Sequence, residues 1–129
     1  MSATRLLPWP VHELVDYLAG VFLVLAAFLF GFRDEPAFPV LLAVGVLLLA
    51  VAVLTGGRFG VVDVVPKPVH AALDYVVGFF LIGAPFLFGF VDVDEALYCS
   101  LFGGLALLLI SLVTAYPQRA PAAEAAGEA

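Results

Sequence analysis

The chain has 129 residues, of which 64% are hydrophobic and 12% are charged, and its formal net charge is −6. Soluble domains are nearer half apolar and a quarter charged, so a mean hydropathy of +1.16 excludes a water-soluble globular fold. A single cysteine excludes a disulfide scaffold, and the acidic balance excludes a nucleic-acid partner. The composition indicates an integral membrane protein whose first partner is the lipid bilayer.

Four stretches are long and apolar enough to cross a hydrocarbon core about 30 Å thick, which takes roughly 20 helical residues. They are residues 11–32, 38–54, 69–90 and 96–115. Pro10, Pro39 and Pro68 suit the first turns of three of these helices, where a missing N–H costs nothing. The predicted fold class is all-α, an integral membrane four-helix bundle.

The basic residues predict the orientation, because loops rich in Lys and Arg face the cytoplasm. Four of them, Arg5, Arg58, Lys67 and Arg119, fall on one side of the predicted membrane, and only Arg33 falls on the other. We therefore expect a multi-pass protein of the cell membrane with both termini and the central loop in the cytoplasm. Residues 116–129 are rich in Ala and Glu and are predicted to form a mobile cytoplasmic tail.

The chain is an internal duplication. Residues 8–32 superimpose on residues 66–90 with a shift of 58, and 15 of these 25 positions are identical. The same shift matches Asp34 with Asp92, Gly45 with Gly103 and Leu47 with Leu105. We expect a single membrane domain made of two tandem helical hairpins, at about 8–57 and 66–115. Because each repeat has an even number of spans, equivalent residues should lie at equal depth on the same side.

The end of the first helix in each repeat resembles a known family. The segment GAPFLFGF at 83–90 is similar to the SPW repeat of small bacterial and archaeal membrane proteins, which carries Ser-Pro-Trp near this position. Here the motif reads Ala84-Pro85-Phe86 in the second repeat and Ala26-Ala27-Phe28 in the first. The resemblance implies a two-repeat, four-helix membrane protein, and the family lends no established activity.

Each repeat opens with the pattern P-x-P-V-H-x-x-x-D-Y, which supplies the candidate site residues His12, Asp16, His70 and Asp74. A His and an Asp four residues apart share one helix face. Both aspartates lie roughly 9 Å along their helices at 1.5 Å per residue. A carboxylate at that depth is costly and normally has a partner.

Several interpretations of this pattern remain open. Each His and Asp could satisfy the other at a helix start, with Trp9, Tyr17 and Tyr75 as interfacial anchors. Alternatively, the four side chains, with Glu13 nearby, could hold divalent Zn, Mn or Fe, since imidazole and carboxylate suit these metals. A third possibility places haem b between His12 and His70 as axial ligands. Transport is the weakest interpretation, because ionisable groups are sparse in the middle of the spans.

Other residues are interpreted as packing groups. Phenylalanines at the outer ends of the first and third helices form an aromatic belt or join the repeats: Phe28, Phe30, Phe32, Phe86, Phe88 and Phe90. Five glycines, Gly20, Gly45, Gly78, Gly103 and Gly104, let helices approach closely. Ser100 and Gly104 form a small-xxx-small pair that could support a homodimer, and Cys99 is expected to pack.

The predicted function is that of a small non-enzymatic multi-pass membrane protein, a scaffold or accessory subunit of a larger complex, with no cofactor. No nucleophile–base pair, phosphate-binding loop or soluble catalytic domain is recognisable in the sequence. The partners expected are lipid and either further copies of the chain or other subunits of a membrane complex. The alternative is a metal- or haem-binding membrane protein that uses the duplicated His-x-x-x-Asp pairs.

Overall fold

The computed structural model describes residues 7–31 and 34–114. These residues form four α-helices: α1 (Trp9–Leu29), α2 (Ala37–Leu54), α3 (Lys67–Leu87) and α4 (Asp94–Val113). Each helix is long and apolar enough to cross a membrane, which confirms the predicted all-α, four-helix membrane architecture. The predicted tail at 116–129, three of the basic residues (Arg5, Arg33, Arg119) and Phe32 lie outside the described residues.

The first helix of each repeat is shifted toward its N-terminus relative to the prediction. Both α1 and α3 begin two residues earlier than expected and end three residues earlier. Their starts follow Pro8 and Pro66, which have extended backbones, and a second proline occupies the first turn. Their ends are followed by Gly31 and Gly89, both at φ 74°, a left-handed conformation that favours glycine. The predicted ends were three residues too late because hydrophobicity continues past these turns.

Close helix packing within each hairpin depends on two pairs of glycines. A Cβ atom on Gly45 would lie 2.9 Å from the Gly20 carbonyl oxygen, and one on Gly104 would lie 2.6 Å from that of Gly78. Without side chains at these positions, α1 packs on α2 and α3 packs on α4 over most of their length. Membrane helices associate by such close van der Waals contact, since lipid offers no hydrophobic driving force between them.

The repeat register changes by one residue between the two helices of each hairpin. Gly104, rather than Gly103, occupies the position that Gly45 has in the first repeat. The second helices therefore match with a shift of 59, as seen in the buried pairs Ala37 and Ala96, Leu48 and Leu107, and Thr55 and Thr114. The predicted pairing of Gly45 with Gly103 and of Leu47 with Leu105 is wrong. The second repeat has one more residue between Leu87 and Ala96 than the first has between Leu29 and Ala37.

Ser100 and Gly104 face α3 inside the second hairpin. The Ser100 hydroxyl is fully buried and donates a hydrogen bond to the Leu81 carbonyl oxygen. That carbonyl lies four residues before Pro85, which has no N–H to bond it. The small-xxx-small pair is thus used within the chain, so a homodimer would need a different surface.

The aromatic residues at the outer ends of α1 and α3 divide into two groups. Phe90 is completely buried in the core that the two hairpins share. Phe30, Phe86 and Phe88 are exposed on the outside of the bundle. Phe28 is 42% exposed and packs edge-to-face on Phe38 of α2. Both predicted roles, belt and core, therefore occur, at different positions of the same pattern.

Candidate metal centre

The four predicted site residues converge at one end of the bundle, between α1 and α3. One ligand atom from each of His12, Asp16, His70 and Asp74 can be chosen so that all four lie within 4.8 Å of one another. All four side chains are buried, with relative exposures of 0% to 1%. The duplication therefore builds one shared cluster rather than two separate helix starts.

The contacts within this cluster cross from one repeat to the other. The His12 Nε2 atom lies 2.8 Å from an Asp74 carboxylate oxygen and 3.2 Å from one of Asp16, its neighbour on the same helix. The His70 Nε2 atom mirrors this, at 2.7 Å from Asp16 and 3.2 Å from Asp74. We call this closed arrangement of two imidazole nitrogens and two carboxylate oxygens the His–Asp ring.

Two threonines fix the orientation of the imidazoles. Thr114 at the end of α4 donates its hydroxyl hydrogen to the Ile110 carbonyl, so its oxygen accepts a hydrogen bond from His12 Nδ1 at 2.7 Å. Thr55 at the end of α2 donates to the Val51 carbonyl and accepts from His70 Nδ1, also at 2.7 Å.

A hydroxyl has only one hydrogen to donate, so each Nδ1 atom must carry a proton. Each Nε2 atom faces the carboxylates and is hydrogen-bonded to one of them, at 2.8 Å for His12 and 2.7 Å for His70. A histidine that binds a metal through one ring nitrogen usually donates its other N–H to such an oxygen acceptor, which fixes the tautomer. The two threonines provide such an oxygen acceptor in both repeats.

Trp9 closes the His–Asp ring on one side. Its ring stacks on His12 with centroids 5.3 Å apart and meets the edge of His70 at 5.2 Å. Its exposure is only 6%, so the expectation that Trp9 is an outward-facing interfacial anchor is wrong. The reason is that the imidazole pair offers the indole a buried surface to pack on.

A third carboxylate lies beside the ring and breaks the symmetry of the repeats. Glu13 is 3% exposed, and its position corresponds to Ala71 in the second repeat. The Phe59 backbone N–H donates to its Oε1 atom at 3.4 Å, while the Tyr17 hydroxyl donates to the Phe59 carbonyl at 2.8 Å. The central loop is therefore attached to α1 directly over Glu13.

The nitrogen–oxygen edges of the ring are slightly shorter than those of a tetrahedral metal site. Metal–ligand distances near 2.0–2.1 Å require ligand atoms about 3.3 Å apart, and the four nitrogen–oxygen edges measure 2.7–3.2 Å. A shift of a few tenths of an ångström would bring these four edges to the length that a metal site requires. Among the described residues, the Asp16 Oδ1 atom is buried with no hydrogen-bond partner, which leaves acceptor capacity at the site.

The same geometry bears on haem. An axial pair would need an open slot between His12 and His70 wide enough for a porphyrin. The two aspartate carboxylates occupy that space and contact both Nε2 atoms. In this arrangement, the space between the two imidazoles does not admit a macrocycle.

Thr55 and Thr114 were not predicted as site residues. A signal was available in the sequence, because a shift of 59 places Thr55 directly over Thr114. The shift of 58, which fits the first helices, hides this match.

The fold and the buried cluster define a multi-pass membrane protein made of two helical-hairpin repeats that join at a polar centre. The model of the SPW repeat domain matches residues 9–114, which is most of the chain. The protein belongs to the SPW repeat family, as its sequence motif predicted. Comparisons with curated proteins and with solved structures gave no match.

Proposed function

We propose that this protein holds one divalent transition-metal ion in the His–Asp ring and uses it as a structural, non-enzymatic centre. The observation that carries the proposal is the pair of threonine hydroxyls, which accept from both Nδ1 atoms. This leaves the two Nε2 atoms, hydrogen-bonded to the carboxylates, as the nitrogens that would bind a metal ion in place of their protons. Two imidazoles and two carboxylates suit zinc best, with iron and manganese as competitors.

The charge of the site supports an ion of this type. Without a metal ion, each close Nε2–Oδ2 contact holds a proton, and these two protons balance the charges of the two buried aspartates. An ion that replaces both protons must therefore be divalent to keep the balance. A divalent ion supplies two positive charges at the centre of the ring. Glu13, next to His12 in the chain and 3% exposed, is a further acidic side chain beside the ring.

The number of protein ligands supports a structural role. Catalytic zinc sites keep an open position for water or substrate, whereas structural sites are closed by four protein ligands. Here His12, Asp16, His70 and Asp74 supply all four positions, and the site is buried. The ion would join α1 to α3, which belong to different hairpins.

The test is elemental analysis of protein purified in mild detergent without a histidine tag. We expect near one zinc, iron or manganese per chain, and loss of that metal in His70→Ala. The matched control is Cys99→Ser, which removes the buried free thiol outside the ring and should keep the metal. Folded protein without bound metal, including after incubation with zinc and washing, would reject the proposal and leave the ring as a hydrogen-bonded link.

A scaffold or accessory role in a larger membrane complex is the second candidate. It is favoured by large aromatic side chains on the outer surface, where Phe79, Phe86 and Phe102 are 65–69% exposed and available to partner helices. A pull-down in gentle detergent should then recover a stoichiometric partner. Repeated recovery of the protein alone would count against this role.

The proposed orientation in the cell membrane places the metal centre at the cytoplasmic side. Four crossings bring the two ends of the described chain together, and the Leu7 N–H donates to the Val113 carbonyl at 2.9 Å. Arg58 and Lys67 flank the central loop at this same end, as the positive-inside rule requires. In a Cys99→Ser background, labelling of an introduced cysteine at the 75%-exposed Val61 (Val61→Cys) from the cytoplasmic side only would support this orientation, and labelling from the outside would reverse it.

A further inference from the structure

Away from the His–Asp ring, the two hairpins separate and leave an apolar cleft between α1 and α4. The cleft has a volume of about 340 Å³, and every residue that lines it is apolar or glycine. Its floor is formed by leucines from all four helices, Leu23, Leu48, Leu81 and Leu107, which are at most 4% exposed. It therefore reaches the middle of the bundle at a depth that corresponds to the centre of the membrane.

The duplication provides an internal comparison for this cleft. The equivalent groove between α2 and α3 is lined by Val44 and Val77 at the positions that Gly103 and Ala19 take between α1 and α4. Those two valines are 6% exposed, and that groove does not reach the floor leucines. Small residues on one side of the molecule thus open a path to its centre that larger residues close on the other.

The α1–α4 cleft continues along α4 to the far end of the membrane. A second cavity of about 320 Å³ shares Phe22, Phe102 and Gly103 with the first and extends to Glu95 and Tyr98. From Glu95 to Ile110 the groove runs about 22 Å at 1.5 Å per residue. That is longer than half of a hydrocarbon core of about 30 Å, so one leaflet's acyl chain fits along it.

We propose that this groove binds one acyl chain of a membrane phospholipid. An apolar space of this size does not hold stable water, and leaving it empty forfeits the dispersion contacts of its lining. The groove opens sideways to the bilayer, which supplies hydrocarbon. Its polar mouth, formed by the exposed carboxylate of Glu95 and the 54%-exposed Tyr98, lies where a lipid headgroup would be. An apolar groove with a polar mouth matches an amphiphile.

The proposal is independent of the metal centre, since the cleft shares no residue with the His–Asp ring. The test uses the full chain reconstituted in phosphatidylcholine vesicles that contain a phosphatidylcholine with a photoactivatable diazirine on one acyl chain. Cross-linked peptides are mapped by mass spectrometry. We expect the label to concentrate on residues 18–22 and 102–106 rather than spread evenly over the outward faces.

Two variants copy the opposite groove and should close the cleft. Gly103→Val introduces the residue found at Val44, and a Cβ at Gly103 meets only side-chain carbons at 3.7 and 3.8 Å. Ala19→Val introduces the residue found at Val77 and serves as a second test if the first variant misfolds. Each should lower labelling at the cleft at least fivefold. The control Ala43→Phe, which lies in the opposite groove, should leave it unchanged.

Two results would overturn the proposal. Labelling that is even around the bundle, and equal in folded Gly103→Val and the unchanged protein, would mean that the groove holds no particular chain. A cleft protected from the lipid label, together with cross-links between copies through Phe22 or Phe102, would mean that a second protein molecule fills it.

Discussion

His12 of the first repeat lies closer to Asp74 of the second repeat than to Asp16 of its own helix, the Nε2–Oδ2 distances being 2.8 Å and 3.2 Å. Likewise, His70 Nε2 lies closer to Asp16 of the first repeat, at 2.7 Å, than to Asp74 of its own helix, at 3.2 Å. Each imidazole also bonds a threonine at the C-terminal end of the other hairpin's second helix. The two hairpins, which elsewhere leave apolar clefts between them, are therefore joined at this end by polar groups from all four helices.

The crossed contacts predict unequal coupling energies. Replacing His12 or Asp74 by Ala leaves a buried charge without its partner, and each change should lower the free energy of unfolding by about 3–5 kcal/mol. In a double-mutant cycle, the coupling of His12 with Asp74 should exceed that of His12 with Asp16. Unfolding in mild detergent with a chelator present measures both. Stronger coupling within the helix than across the repeats would contradict the crossed arrangement.

If the threonine hydroxyls orient the imidazoles, removing one hydroxyl should lower metal affinity although all four proposed metal ligands remain. Thr114→Val keeps the shape of the side chain but removes the oxygen that accepts the His12 Nδ1 proton. Zinc affinity should fall 10- to 100-fold, the range typical of second-shell changes. Thr114→Ser keeps the hydroxyl and is the matched control. Equal zinc affinity in the valine and serine variants, measured by competition with a chelating dye, would show that the hydroxyl does not orient the imidazole.

Pro85 and Ser100 should be energetically coupled. The Ser100 hydroxyl donates a hydrogen bond to the Leu81 carbonyl, which lacks its helical partner because Pro85 has no N–H. An unsatisfied buried acceptor costs about 1–3 kcal/mol. Ser100→Ala should therefore destabilise the protein by that amount, and clearly less when Pro85 is also replaced by Ala. The first repeat has neither residue, since Ala27 stands at the position of Pro85 and Leu41 at that of Ser100. Equal destabilisation in both backgrounds would argue against the coupling.

The register shift predicts opposite outcomes at two adjacent glycines. Gly104→Ala would place a Cβ atom 2.6 Å from the Gly78 carbonyl oxygen, and should lower the free energy of unfolding by about 1–3 kcal/mol through overpacking. Gly103→Ala meets only ordinary contacts, and should be neutral or stabilise α4 by up to about 1 kcal/mol through helix propensity. Comparing the thermal unfolding of the two variants distinguishes the shift of 59 from the shift of 58. The reverse order would support the shift of 58.

The sequence was sufficient to predict the four spans, the duplication and the four side chains that meet at one end of the bundle. These features follow from hydrophobic length and from repeated letters, both of which are visible without coordinates. The spacing of His12 and Asp16 also predicted a common helix face, and the two are within 3.2 Å of each other. The family followed from the residues near Pro85.

The crossed geometry was not predictable, because it depends on how α1 and α3 face each other. Periodicity within α1 says nothing about which aspartate lies nearer to His12. The roles of Thr55 and Thr114 were obscured by the one-residue insertion in the second hairpin. Trp9 was placed at the membrane surface by a general preference of aromatic residues, which its packing on two imidazoles overrides.

X-ray absorption spectroscopy of the zinc-loaded full chain tests the metal centre most directly. The account predicts one zinc with two imidazole nitrogens and two carboxylate oxygens at about 2.0–2.2 Å, and no bound zinc in His70→Ala. A spectrum without imidazole scattering, or one that His70→Ala leaves unchanged, would contradict it.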